Sequence, residues 1–99
     1  MSGNCVVTLN VGGTIFLTKR FTLTRFDGYL KDWFENNATH SWDPNGIPFV
    51  DRDPIHFRYI LNFMRDGVEV SLPRDEERIE EIKNEPKFYG LVELVKLLE

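Results

Sequence analysis

The chain has 99 residues, 41% hydrophobic and 28% charged, with a net charge of −4 at pH 7, which suits one compact domain with a modest core. No stretch approaches the roughly 18 apolar residues of a bilayer span, and no Lys/Arg cluster supplies the basic footprint of a dedicated nucleic-acid binder. The single cysteine, Cys5, excludes an intrachain disulfide and fits a reducing compartment; with only His40 and His56 beside it, one chain cannot assemble a tetrahedral Cys/His zinc site.

MSGNCVV lacks the basic-then-apolar layout of a signal peptide, and Ser2 breaks the N-myristoylation pattern. VVTLNV (6–11) and TIFLT (14–18) are rich in β-branched residues and flank Gly12-Gly13, so they predict a β-hairpin. Thr22 or Thr24 suits the cap of a short helical turn that Asp27-Gly28 breaks. A short helix follows over 29–36, with Leu30, Trp33 and Phe34 on one side. Residues 37–46 read as a loop containing the turn Asp43-Pro44-Asn45-Gly46, and IPFVD (47–51) reads as a third strand.

The spacing predicts a helix over about 54–66 with two apolar stripes. Phe57, Ile60, Leu61 and Met64 form one; Ile55, Tyr59 and Phe63 form the other. Only Arg58, Asn62 and Arg65 share a polar face, so this helix should be central, with Gly67 placed to end it. VEVSLP (68–73) reads as a short strand. Residues 74–85 read as an acidic helix with Ile79 and Ile82 inward, interrupted at Pro86. The last helix, about 87–98, places Leu91, Leu94, Val95 and Leu98 on one face. A few strands followed mostly by helices is an α+β pattern.

Asp51, Arg52 and Asp53 stand between the third strand and the central helix. Asp53-Pro54 is a helix start: Asp accepts from the orphan N–H groups, and Pro is pre-set for the first helical position. Asp51 and Arg52 stay open between solvated charges, a local ion pair and a contact with a neighbouring subunit. A catalytic pair of Asp51 and Asp53 is disfavoured, because no histidine, nucleophile or third carboxylate is gathered with them. No enzyme activity and no cofactor or metal is therefore expected. NVGGT (10–14) lacks the spacing of a phosphate-cradling loop and reads as a turn. His40 and His56 read as surface or packing histidines. Trp33 lies on an apolar face and reads as core, whereas Trp42, within a loop, is the better partner anchor. The acidic run 75–81 reads as a solvated helix face.

VTLNVGGTIFLTKRFTLTR, GIPFVDRDPIHFRYILNFMRDG, LPRD and FYGLVELVKLL follow one another in an order and spacing that closely resembles a known family. It is the BTB/POZ-type tetramerisation domain of potassium-channel-tetramerisation-domain (KCTD) proteins, shared with the cytoplasmic N-terminal module of voltage-gated potassium channels. The resemblance covers about residues 5–98. It implies a BTB/POZ-like α+β fold, a three-stranded sheet with a cluster of about five helices. It implies homo-oligomerisation as a ring of four or five and, in many KCTD proteins, recruitment of a cullin scaffold for ubiquitin ligation. It puts Asp51, Arg52 and Asp53 near the subunit contact, and partner contact at Phe34, Trp42, Asp43 and Ile47.

Phe26-Asp27-Gly28 departs from the family's Pro-Asp-Ser-like step before the second helix. The interfacial zinc cluster of many channel domains is missing, and FYGL (88–91) looks more like KCTD proteins than channels. The expectation is thus a cytoplasmic cullin-adaptor module, with a channel-assembly domain as the alternative. Neither nucleic acid nor direct membrane insertion is expected. No substrate-binding region follows residue 99, so the chain is expected to be one domain of a longer protein.

Overall fold

The computed structural model describes residues 4–36 and 40–99. The expected hairpin forms: β1 (Val6–Val11) and β2 (Thr14–Lys19) pair antiparallel from Val6↔Lys19 to Val11↔Thr14. Period-two alternation sends Leu9 and Val11 into the core and Thr8 and Asn10 to the other face. Gly12 makes the turn at φ +57°, and its N–H donates to the Val50 carbonyl at 2.9 Å. A Cβ there would strike the Arg52 carbonyl and the Pro54 ring, so only glycine lets this turn touch the 50–54 segment.

α1 (Arg20–Thr24) follows β2 directly. Thr22 and Thr24 do not cap it. Both lie inside the helix, Lys19 takes the cap position, and the Thr24 hydroxyl donates back to the Arg20 carbonyl at 3.0 Å. α2 (Tyr29–Asn36) forms as expected and buries Leu30 and Trp33.

The loop read over 37–46 lies partly outside the described residues. Its described part contains a two-residue strand, β3 (Ser41–Trp42), antiparallel to β4 (Pro48–Val50). β4 runs parallel to β1 through Asn10↔Phe49 and Val11↔Val50, giving the order β2-β1-β4-β3. Among the described residues the sheet thus has four strands where three were expected, because two residues are too few to show a period.

α3 (Phe57–Asp66) is the central helix, but it starts later than residue 54. Asp53 Oδ1 accepts from the Ile55 N–H at 2.9 Å and the Pro54 carbonyl from the Phe57 N–H at 3.1 Å, so 54–56 are turns ahead of the helix. Asp53 serves that turn, and His56 takes the cap position. Phe57, Ile60, Leu61, Phe63 and Met64 are buried, while Ile55, outside the helical phase, is 71% exposed. The Gly67 N–H donates to the Phe63 carbonyl and ends the helix.

Two arginines close helix ends across the fold. Arg20 Nη2 donates to the Phe34 carbonyl at 2.6 Å, near the end of α2. Arg25 Nη1 donates to the Met64 and Arg65 carbonyls at 3.2 and 2.6 Å, in the last turn of α3. Such cations satisfy orphan carbonyls and complement the helix dipole.

VEVSLP is not a strand. Gly67–Glu69 form a 3-10 turn and the next residues are irregular, with Val70 and Leu72 packed against the core instead of pairing with a sheet edge. α4 (Glu76–Ile82) is capped by the Asp75 carboxylate, which accepts from the Arg78 N–H at 3.2 Å. The break comes at Lys83, and Pro86 sits in the first turn of α5 (Asn84–Tyr89), where its missing N–H needs no helical partner. Gly90 ends α5, so the last helix is the shorter α6 (Val92–Leu97).

Gly28, at φ +150°, presses on this junction: a Cβ would strike the Tyr89 carbonyl. Gly28 therefore packs backbone against backbone on Tyr89-Gly90.

Candidate interaction surfaces

The three charges after β4 have separate roles. Asp51 is exposed and Asp53 holds the Ile55 N–H. Arg52 meets Glu85 of α5 in a two-point ion pair, Nη2–Oε2 2.6 Å and Nε–Oε1 3.2 Å, and its guanidinium lies 4.7 Å over the Phe88 ring. Within its own chain Arg52 is thus ion-paired, with Glu85, 33 positions away, as the partner. That hydrogen bond raises the already high Arg52 pKa. Glu85 is only 8% exposed, so it needs this partner. Glu85 lies beyond the acidic run 75–81, and the sequence pattern assigns it no role. The available signal was Tyr89, four residues on and therefore on the same helical face.

Tyr89 is buried beside this pair, and among the described residues its hydroxyl has no hydrogen-bond partner. Burial, with Glu85 nearby, raises the phenol pKa well above its ordinary value of 10.0. Among the described residues, no group of three or more His, Cys, Asp or Glu side chains could hold a metal. His56 Nε2 lies 3.3 Å from Glu81, and His40 stacks on Trp33 at 4.1 Å.

The second surface is built around Trp33, which is buried as expected. Phe34 stacks beside it at 6.4 Å, half-buried against the core, and Trp42 meets it edge-on at 6.1 Å while remaining 60% exposed. The fold thus brings Phe34 and Trp42 together through Trp33.

Asp43 and half-buried Ile47 hold the loop that follows Trp42. Asp43 Oδ1 accepts from the Asn45 and Ile47 N–H groups, each at 2.9 Å, and Oδ2 accepts from Asn10 Nδ2 at 2.8 Å. These bonds, the Asn10 one first, hold the Asp43 carboxyl below its ordinary pKa. Asn10 also accepts from the Gly13 N–H at 2.8 Å, so one side chain joins the hairpin turn to the Trp42 loop. Asp43 is therefore a clamp within its own chain, and Trp42 is the exposed apolar group of the set.

A third exposed feature is the hairpin's outer face. Ile15 and Leu17, two apart on β2, are 45% and 60% exposed, and Phe21 just beyond is 56% exposed. Among the described residues, no helix is long and apolar enough to cross a membrane.

Comparison with known proteins agrees with this architecture. A family model for the BTB/POZ domain matches residues 7–98. The human BTB/POZ domain-containing adapter for CUL3-mediated RhoA degradation protein 2 is 37% identical over 97 residues, 98% of this chain and 30% of that protein. Its Gallus gallus counterpart is 39% identical over 95 residues, 93% of this chain and 30% of that protein. Mouse BTB/POZ domain-containing protein KCTD21 is 38% identical over 94 residues, 94% of this chain and 36% of that protein. The chain therefore spans only about a third of the length of these relatives. With its sheet, its helices and nearly its whole length matching, the chain belongs to the BTB/POZ domain family, in the potassium-channel-tetramerisation branch that includes KCTD proteins.

Proposed function

We propose that this chain is a cytoplasmic homo-oligomerisation and adaptor module, a binding protein and not an enzyme, that forms a four- or fivefold ring and presents the Trp42 loop to a cullin scaffold. The observation carrying the adaptor reading is the Trp42 indole: 60% exposed, backed by buried Trp33, on a loop clamped by Asp43. A pre-formed aromatic anchor of this kind binds with little ordering cost. Phe34, packed against the core, stacks on Trp33 behind it, and the Ile47 N–H donates to the Asp43 clamp. The adapter names of the human and chicken relatives favour this reading over channel assembly. The free, exposed Cys5 thiol suits a reducing compartment.

For the ring, Asp51 is the charge offered to a neighbouring subunit. Arg52 and Asp53 hold the segment in shape, and the Ile15–Leu17 face offers apolar area for burial. Light scattering with and without chelator tests the assembly: an oligomer that persists in chelator is expected, and a strict monomer at micromolar concentration refutes it. Calorimetry with the N-terminal region of a CUL3-type cullin tests the adaptor role. Trp42→Ala is expected to weaken binding about thirtyfold or more, near 2 kcal/mol, with the oligomer intact. No binding by the unsubstituted chain refutes the adaptor reading.

A further inference from the structure

Where α3 begins beside α4, Ile55, His56, Arg58, Tyr59 and Arg78 line an open cleft of about 340 Å³. Arg58 and Arg78 are exposed, and the Arg58 guanidinium lies 5.4 Å over the Tyr59 ring. Among the described residues no carboxylate pairs with either guanidinium. Glu81, one of the acids of α4, is 3.3 Å from His56 Nε2. Some cations elsewhere pair with acids, Lys31 with Asp27, Arg52 with Glu85, Lys83 with Glu80 and Lys96 with Glu93, whereas Arg20 and Arg25 bond backbone carbonyls. Two exposed arginines and an exposed isoleucine thus face one cleft on a chain of net charge −4.

We propose that this cleft docks a short acidic peptide segment of another protein, with one apolar side chain on Ile55 and Tyr59 and flanking carboxylates on Arg58 and Arg78. The charge complementarity is specific in kind. A guanidinium takes a carboxylate through two parallel N–H···O bonds, which an ammonium cannot do. Ile55 and Tyr59 give the apolar residue a floor, and the arginines form a polar rim. Glu76, Glu77 and Glu80 on the exposed side of α4 repel a longer acidic run and so limit the segment's length. The cleft's lining residues are not among Asp51–Asp53, Phe34, Trp42, Asp43 and Ile47, the residues proposed for the ring and the cullin.

The probe is a fluorescein-labelled, end-capped nonapeptide with a central leucine and two glutamates on each side, followed by anisotropy. Saturable binding below about 100 μM, at least −5 kcal/mol, is expected. It should weaken at least tenfold in the double variant Arg58→Ala, Arg78→Ala. It should weaken by an intermediate factor when both arginines become lysine, and severalfold when the peptide leucine becomes alanine. Thermal melting and sedimentation of both variants should match the unsubstituted chain. Equal binding by the double alanine variant overturns the proposal, as does no binding at about 1 mM peptide. Competition by inorganic phosphate as effective as by unlabelled peptide reduces the cleft to a simple anion site, and loss of the oligomer in the double variant assigns it to the ring; either result overturns the proposal.

Discussion

Arg52 and Glu85 lie 33 positions apart in sequence and are joined by two hydrogen bonds, at 2.6 and 3.2 Å, that fasten the segment after β4 to α5. The pair is partly shielded, with the Glu85 side chain 10% exposed and that of Arg52 30%. Losing one member leaves a nearly buried charge without its partner, which costs more than the intact pair contributes.

Arg52→Glu is therefore expected to destabilise the fold by about 3 kcal/mol, lowering Tm by more than about 10 °C. Asp51→Lys is expected to leave Tm almost unchanged, because Asp51 is exposed. Thermal melts at one fixed protein concentration make the comparison, since self-association couples to Tm. Equal melting of the two variants refutes the assignment.

Tyr89→Phe is expected to be neutral or stabilising by about 1 kcal/mol, because it removes a buried hydroxyl that has no partner. The substitution also alters alkaline behaviour. The folded-state pKa of this phenol is raised above the ordinary 10.0. Its contribution is therefore fully present below about pH 10 and is lost as pH rises towards the folded-state value. Urea titrations from pH 8 to pH 11 should show stability falling less steeply for Tyr89→Phe than for the unsubstituted chain. Tyr29, also raised by burial, leaves a smaller slope of the same sign in both.

Gly28→Ala is expected to cost about 3 kcal/mol or more. It forces a Cβ against the Tyr89 carbonyl at a backbone angle that L-residues rarely adopt. Gly46→Ala is the control: its φ is also positive, +78°, but nothing lies within 4 Å of the added methyl. Chemical denaturation should give the smaller loss for Gly46→Ala.

Asp43→Ala is expected to release the Trp42 loop while leaving the core folded. Hydrogen exchange of the Asn45 and Ile47 amides, both donors to Asp43 Oδ1, should accelerate strongly, with little change at core amides such as Leu61. Acid should act in the same direction. The Asp43 pKa is lowered in the fold, so its contribution is present above the ordinary carboxylate range and is lost as pH falls below about 4. Unchanged amide exchange in the variant refutes the clamp.

Much of the architecture was legible in local pattern. The β1–β2 hairpin follows from β-branched runs around Gly12-Gly13. The burial of Phe57, Ile60, Leu61 and Met64 follows from a spacing of three and four, and Gly67 ends that helix because it can. These signals need only neighbours in sequence. The two-residue strand β3 and the failure of VEVSLP to join the sheet were not legible, because strand pairing depends on which edge is within reach. The site divides in the same way. Trp42 stood out as a loop tryptophan and remains exposed, yet its seat on Trp33 and the Asn10–Asp43 clamp arise only when distant segments meet. Arg52 was visible as a charge, but its partner was not. Composition supplies an arginine and many acids, and only the packing of α5 against the segment after β4 brings Glu85, and not Asp51, within hydrogen-bonding distance in a place from which water is largely excluded.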